Sequence, residues 1–269
     1  MLSLPLIIEA DELEPLLGNQ ELLIVDLCQA SVYQQCHVPG AIHVSPGELV
    51  AGVPPATGKL PDESKLNALF SRIGFSENRH VISYDDEGGG WAGRFLWTLD
   101  VIGHHRYSYL NGGIHAWLNE NHPLESRSNV PVATDYKVAI HNDVIANINE
   151  VLEQIPCKDS IVWDARSAAE FNGMQQNAMR NGHIPGAINL DWLETMDRNN
   201  NLRLLPLDTL RERLTELGIA QADQVITHCQ THHRSGLTYL IGKALGLNIK
   251  AYDGSWSEWG NRQDTPIET

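Results

Sequence analysis

The sequence predicts an α/β fold that is repeated in tandem, each copy a mainly parallel sheet flanked by helices. Blocks of sequence from the first half recur in the same order in the second half, and short apolar runs alternate with amphipathic segments in both halves. Recurring blocks of this size indicate two copies of one fold. Strands that alternate with helices are typical of α/β domains with parallel sheets.

The repeat is clearest in two pairs of segments. The segment "LLIVDLCQASVYQQCHVPGAIHV" (22–44) recurs in residues 161–190, where additional residues precede His183. The segment "VISYDDEGGGWAGRFLWTLDVIG" (81–103) aligns with "VITHCQTHHRSGLTYLIGKALG" (225–246). The stretches that follow, "YSYLNGGIHAWLNENHPLE" and "IKAYDGSWSEWGNRQDTPIE", share Gly, an aromatic residue and Trp in register.

The domain boundaries follow from this repeat. A chain of 269 residues with 42% hydrophobic content is long and apolar enough for one or two domains. The segment "ESRSNVPVATD" is polar and has no clear period, as a linker would be. We therefore predict a first domain at 1–126, a linker at 127–140 and a second domain at 141–269.

The elements within each copy are predicted from their periodicity. "LLIVDL" and "VISY" are short apolar runs, which favour buried strands. "GWAGRFLWTLDVIG" and "SGLTYLIGKALG" have apolar residues three and four positions apart and end at Gly, as helices do. Ligands of such sheets bind at the carboxyl ends of strands, so the loop after "VITH" is the candidate site.

Composition restricts the possible partners. The formal net charge of −15 argues against nucleic acid or an anionic membrane surface as a partner, because both require a basic footprint. No apolar run reaches eighteen residues, and the first residues lack a basic leader. The cysteines at positions 28, 36, 157 and 229 have neither disulfide-framework nor zinc-ligand spacing. A cytoplasmic protein with reduced thiols is expected.

Cys229 is the candidate nucleophile. It ends an apolar strand in "VITHCQTHHRSG" and precedes a helix predicted to begin at about Ser235 or Gly236. A tight turn there can direct successive N–H groups at the sulfur, and the helix adds its positive N-terminal end. Together with the nearby Arg234, these features favour a thiolate over a thiol.

Several alternatives exist to a catalytic cysteine that transfers a sulfur atom. Cys229 could be an inert core thiol, or it could join His228, His232 and His233 in a zinc site. It could also be the nucleophile of a cysteine phosphatase, or carry a persulfide without catalysis. Four residues separate Cys229 from Arg234, and this short loop suits a single persulfide sulfur better than a phosphoryl group with three oxygens.

The motifs of both copies resemble those of tandem rhodanese domains. The matching features are "HVPGA" and "HIPGA", the Asp-ended strands, the closing "GSWSEWG…DTPIE" and the Cys-Gln-Thr-His-His-Arg loop, which is similar to that of a bacterial subgroup. The resemblance implies a thiosulfate sulfurtransferase with a catalytic second domain and a first domain without a nucleophile. The first domain indeed carries Asp85 where the second carries Cys229.

The remaining site residues are predicted around that cysteine. The backbone amides of the loop are expected to stabilise a persulfide, Arg234 to position an anionic donor, and Trp192 to form either a pocket wall or part of the core. His232 and His233 are expected to line the entrance or to be exposed to solvent. The predicted substrate-binding residues are Gln230, Thr231, His232, His233, Arg234, Ser235 and Trp192.

One departure from the family concerns the donor. Asp164, Ala165 and Arg166 match the family's Asp-x-Arg segment, but Glu170 stands where many members carry a basic residue. This leaves open whether mercaptopyruvate is excluded, and Arg166 could face the site or pair with a carboxylate. No metal or organic cofactor is expected. The expected partners are a small anionic sulfur donor and a nucleophilic acceptor, which could be a thiol protein, and the expected state is a monomer.

Overall fold

The computed structural model describes residues 2–157 and 159–269 and divides into two compact units. The first unit comprises the chain up to Leu49, Pro61–His141 and Asp197–Leu204, and the second comprises Val50–Leu60, Asn142–Met196 and Leu205–Thr269. Each unit thus contains a short segment from the other half of the chain, which the repeat does not predict. The predicted domain boundaries stay predictions.

The first unit contains a five-stranded sheet whose strands pair in parallel. Its strands, in the spatial order β1-β5-β4-β2-β3, are β1 (Ile7–Ile8), β2 (Leu22–Asp26), β3 (Ile42–His43), β4 (His80–Tyr84) and β5 (Tyr107–Leu110). Its helices are α1 (Ala10–Leu13), α2 (Ala30–Gln35), α3 (Glu63–Arg72), α4 (Gly90–Val101) and α5 (Gly113–Asn119), with short 3₁₀ helices at Glu14–Leu16 and Pro46–Leu49.

The second unit contains a four-stranded parallel sheet in the order β11-β10-β6-β7. A separate two-stranded sheet pairs β8 with β9, and Asp197 of β8 and all of β9 lie in the segment assigned to the first unit. The strands are β6 (Ser160–Asp164), β7 (Ile188–Asn189), β8 (Met196–Asp197), β9 (Arg203–Leu204), β10 (Gln224–His228) and β11 (Ile249–Ala251). The helices are α6 (Ile148–Gln154), α7 (Ala168–Phe171), α8 (Leu207–Glu216), α9 (Arg234–Ala244) and α10 (Ser255–Trp259), with 3₁₀ helices at Trp192–Thr195 and Ile219–Gln221. The predicted fold class is confirmed.

The central strands are buried because helices cover the sheets. Every residue of β2 and β4 is buried, which explains why these strands are continuous apolar runs rather than alternating patterns. The core of the second unit joins Val162 and Ile226 of neighbouring strands to the aromatic residues Tyr252, Trp256 and Trp259. Within the described ranges, no helix is both long enough and apolar enough to cross a membrane.

Strand register brings the predicted site residues to one edge of each sheet. Asp164, the last residue of β6, pairs with His228, the last residue of β10. Asp26 and Tyr84 pair in the same way in the first unit. The residue that follows β4 or β10 therefore leaves the sheet at its carboxyl edge, beside the turn that follows β2 or β6.

Candidate active site

Cys229 lies directly after β10 and is fully buried. The loop that carries it ends where α9 begins at Arg234, one residue before the predicted start. The sulfur therefore lies between the end of a strand and the beginning of an eleven-residue helix. This is the strand, loop and helix arrangement that the sequence predicts.

The beginning of α10 holds the outer side of the cysteine loop. The N–H groups of Trp256 and Ser257 donate to the carbonyl oxygens of Cys229 and Gln230, at 3.0 and 2.9 Å. The Cys229 N–H donates to the Ser255 hydroxyl at 3.3 Å. A trans peptide directs its C=O and N–H in opposite directions, so the N–H groups of Gln230 and Thr231 point away from α10. The contacts with α10 thus fix the orientation of the first two amides of the loop.

The surroundings of Cys229 favour its thiolate. Burial alone would raise the pKa of the thiol, but the Arg234 guanidinium, the hydroxyl and N–H of Ser235 and the charge of His233 together lower the pKa below its ordinary value. The hydroxyl and the N–H of Ser235 thus act on the sulfur as neighbouring donor groups that favour its charged form. A buried sulfur with these donors is prepared to carry negative charge.

The two loop histidines have different environments. His232 is fully buried, so neither of its expected positions, at an entrance or in solvent, describes it. Its Nδ1 lies 2.7 Å from the Ser235 hydroxyl oxygen. His233 is partly exposed, and its ring packs edge-on against Trp192 with centroids 5.6 Å apart. Trp192 is largely buried beside the loop, and its role as a pocket wall stays a prediction.

Arg234 is paired with Glu170, which the sequence identified only as a departure from the family. Arg234 Nη1 and Nη2 donate to the Glu170 carboxylate at 2.6 and 2.9 Å. Burial would raise the pKa of Glu170, but the guanidinium lowers it to about 2. The carboxylate therefore occupies the donor fork of Arg234, and positioning of an anionic donor by this arginine stays a prediction.

A capping box could have placed Glu170 at the start of α7. Ser167 accepts the Glu170 N–H, and the Glu170 carboxylate accepts the Ser167 N–H in return. The pattern Ser-Ala-Ala-Glu is typical of this arrangement. The segment that is longer in the second copy also reaches this pair. Asn177 donates to the Glu170 carboxylate at 2.9 Å, and its carbonyl accepts the Gln230 side-chain amide at 2.9 Å.

The Asp-x-Arg segment forms a buried ion pair beside the last residue of β10. Arg166 donates to Asp164 through Nε and Nη2, and its guanidinium lies 4.3 Å from the centroid of the Trp256 ring. Burial would raise the pKa of Asp164, but His228 and Arg166 lower it. Both members of the pair are buried, so Arg166 forms the carboxylate pair that the sequence left as one of two alternatives.

A segment from the first half of the chain packs on the cysteine loop. A Cβ atom at Gly58 would lie 2.0 Å from the carbonyl oxygen of Thr231. Lys59 forms an ion pair with Glu258 at 2.6 Å, and the Leu60 N–H donates to Asp253 at 2.8 Å. These contacts belong to the second unit. Sequence reasoning missed them, because no local pattern in 50–60 refers to residues so distant in the chain.

The equivalent loop of the first unit contains its own anion. Asp85 Oδ1 accepts the N–H groups of Glu87 and Gly89 at 3.1 and 2.8 Å, and Oδ2 accepts that of Ala92 at 3.0 Å. Burial raises the pKa of Asp85 to about 6, although the amides counteract this effect. The Asp85 carboxylate thus satisfies backbone amides at the start of α4.

The remaining cysteines lie outside such a loop. Cys28 is buried, and burial together with neighbouring carboxylates raises the pKa of its thiol. Cys36 is partly buried and Cys157 is exposed. Among the residues that the structure describes, no group of three or more His, Cys, Asp or Glu side chains is arranged to hold a metal ion. Among the described residues, His228, Cys229, His232 and His233 are thus not arranged as the ligands of the zinc site that the sequence left as an alternative.

Comparison with known proteins identifies the family. The model of the rhodanese-like domain matches residues 9–120 and 147–262. The chain belongs to the rhodanese family. It is 47% identical, over 267 residues, to the thiosulfate sulfurtransferase of Azotobacter vinelandii, and the alignment covers 99% of this chain and 98% of the relative. The thiosulfate sulfurtransferase of Pseudomonas aeruginosa matches with the same identity and coverage.

A solved rhodanese structure agrees with this assignment. The crystal structure of the Escherichia coli 3-mercaptopyruvate sulfurtransferase superposes with a TM-score of 0.84 at 26% identity, covering 94% of this chain and 99% of that chain. The comparisons confirm the predicted family, its tandem organisation and its fold class, and they confirm the prediction of a sulfurtransferase.

Proposed function

We propose that this rhodanese transfers the sulfane sulfur of thiosulfate to cyanide or a thiol by way of a persulfide on Cys229. The observation that carries the proposal is the buried Cys229 sulfur between β10 and α9, where the Arg234 guanidinium and the donor groups of Ser235 lower the pKa of the thiol. The names of the relatives with 47% identity support thiosulfate as the donor.

The first step is nucleophilic displacement at sulfur. The Cys229 thiolate attacks the outer sulfur of thiosulfate, a bond forms between Sγ and that sulfur, and the S–S bond of thiosulfate breaks. The electron pair of the broken bond leaves with sulfite, and a persulfide anion remains on Cys229. The amides of the loop and the Ser235 donors stabilise the negative charge, as the donors of an oxyanion hole do.

The second step regenerates the enzyme. Cyanide, or the thiolate of an acceptor, attacks the terminal sulfur, and the bonding pair returns to Cys229 Sγ. Because the cysteine itself carries the sulfur between the two steps, the proposed cycle uses no resident metal or organic cofactor. The proposed partners are a small anionic sulfur donor and an acceptor that exposes a nucleophile. The net charge of −15 repels anions at long range, so binding of the anionic sulfur donor depends on hydrogen-bond donors and cations close to Cys229.

The test is thiocyanate formation from thiosulfate and cyanide, with the mass of Cys229 measured in parallel. Cys229→Ser is expected to abolish turnover, whereas Cys157→Ser, at an exposed cysteine, leaves it unchanged. Thiosulfate alone is expected to add one sulfur atom to Cys229. Hydrolysis of an aryl phosphate without thiocyanate formation would establish a phosphatase instead, and a persulfide that no acceptor removes would establish a carrier.

A further inference from the structure

His232 occupies a backbone conformation that favours glycine. Its φ is +54°, in the left-handed region where side chains other than glycine are strained. The equivalent position of the first unit, three residues after Asp85, is Gly88 with a φ of +96°. The same turn can therefore be made with glycine, and the first copy makes it so. The second copy carries a buried imidazole there instead.

The imidazole contacts the residue that contacts the nucleophile. His232 Nδ1 lies 2.7 Å from the Ser235 hydroxyl oxygen, and the Ser235 hydroxyl is one of the groups that lower the pKa of the Cys229 thiol, as a donor to its sulfur would. A hydroxyl has one proton, so a hydroxyl that donates to sulfur can only accept from the imidazole. This arrangement requires the tautomer of His232 with its proton on Nδ1. The position of Ser235 is occupied by Trp91 in the first unit, six residues after Asp85.

We propose that His232 is a positioning residue that holds the Ser235 hydroxyl as a donor to the Cys229 sulfur. In this arrangement the Nδ1–H group donates to the hydroxyl oxygen, so the hydroxyl proton is directed away from the imidazole and toward the sulfur. The chain of hydrogen bonds stabilises the thiolate and, in the proposed function on which this inference rests, the persulfide anion. The backbone strain at His232 persists because the imidazole makes this contact.

The thiolate titration of Cys229 tests the relay directly. The ultraviolet absorbance of the thiolate is followed against pH, as the difference between each protein and the same protein carrying Cys229→Ser. His232→Gly and Ser235→Ala are each expected to raise the titration midpoint by about one pH unit, since one frees the Ser235 hydroxyl from its position and the other removes the hydroxyl, so each loses the same donor to the charged sulfur. The double variant is expected to shift the midpoint no further than either single variant, because both act through one hydrogen bond.

Two further variants separate positioning from folding. His232→Asn tolerates the left-handed backbone, and its amide can donate in place of Nδ1, so the midpoint is expected to return toward that of the wild type. His232→Gly relieves the backbone strain, so its melting temperature is expected to equal or exceed that of the wild type. His105→Asn, at an exposed histidine of the first unit, is the matched control for the exchange and is expected to leave the midpoint unchanged.

The outcomes distinguish this relay from the proposed function. An unchanged midpoint in His232→Gly, or additive shifts in the double variant, would overturn the relay. The titration needs no sulfur donor, so it remains decisive even if thiosulfate forms no persulfide on the wild-type protein. Conversely, persulfide formation with an unchanged midpoint in His232→Gly would leave the proposed function intact and remove only the role of His232.

Discussion

The loops after β4 and β10 occupy equivalent positions in the two units but hold different groups at the start of the following helix. In the first, the Asp85 carboxylate accepts three loop and helix amides, so the anion is part of the chain. In the second, Cys229 takes the position of that carboxylate, and its sulfur is held by Ser235 with Arg234 nearby. One fold thus provides an anion site twice. The copy without a built-in carboxylate is the one in which we propose that the cysteine carries a sulfur atom.

The two loops also differ in what supports them. The first loop has glycine at its positive-φ positions, Gly88 and Gly89. Glycine also occupies the start of the adjoining helix α5, where a Cβ atom at Gly113 would lie 2.2 Å from the Asp85 carbonyl oxygen. The second places His232 and Ser255 in the same conformation, and both side chains bond within the site. Around Cys229, residues with hydrogen-bonding side chains stand at positive-φ positions where the first unit has glycine. The second unit therefore has a less favourable backbone conformation there but gains hydrogen-bonding groups.

The largest expected effect comes from making the second loop like the first. Cys229→Asp is expected to abolish thiocyanate formation, a loss of about a thousandfold or more, because a carboxylate cannot carry sulfane sulfur. The protein is expected to fold, since Asp85 occupies the equivalent amides. Steady-state assay and circular dichroism check both statements. Residual turnover near that of the wild type would mean that the sulfur is carried elsewhere.

A smaller loss of turnover is expected from a substitution in the segment 50–60, which packs on the cysteine loop. Gly58→Ala is expected to reduce turnover by about ten- to a hundredfold, because the added Cβ would lie 2.0 Å from the Thr231 carbonyl oxygen and must displace the loop. Gly47→Ala is the matched control, since the nearest atom to its added Cβ is the Ser45 hydroxyl oxygen at 3.8 Å. Equal activities of the two variants would show that the loop does not depend on this segment.

The smallest expected effect is a difference in the pH dependence of stability. The pKa of Asp85 is raised from 3.8 to about 6, so its contribution to stability is complete below pH 3.8 and is lost as the pH rises through about 6. Asp85→Asn removes this titration. The free energy of unfolding of the wild type is therefore expected to fall, relative to that of the variant, by about 1 to 3 kcal/mol between these pH values.

Glu170 beside the second loop has the opposite sign. Its pKa is lowered from 4.5 to about 2, so its contribution to stability is present above pH 4.5 and is lost as the pH falls through about 2.

Urea unfolding of the wild type and of the Asp85→Asn variant, repeated across the pH range, measures the effect of Asp85. The same pH dependence in both proteins would contradict the buried, raised pKa of that carboxyl.

Prediction from sequence succeeded where the signal is local. Cys229 stands between an apolar strand and an amphipathic helix, and consecutive residues of a short loop share one environment. It was less successful with side-chain direction. His232 and His233 are neighbours in the chain, yet His232 is buried against Ser235 and His233 packs against Trp192. The φ angle is +54° at His232 and −92° at His233, and no sequence pattern here predicts that difference.

The sequence by itself determined the repeat, the family and the presence of Cys229 in the second copy where the first has Asp85, since each depends on residue type and order along the chain. Only the tertiary structure decided which groups surround the sulfur. Arg234 meets Glu170 across 64 residues of sequence, and Lys59 meets Glu258 across 199. Such pairs follow from how strands and helices pack, and packing depends on the whole chain rather than on any local pattern.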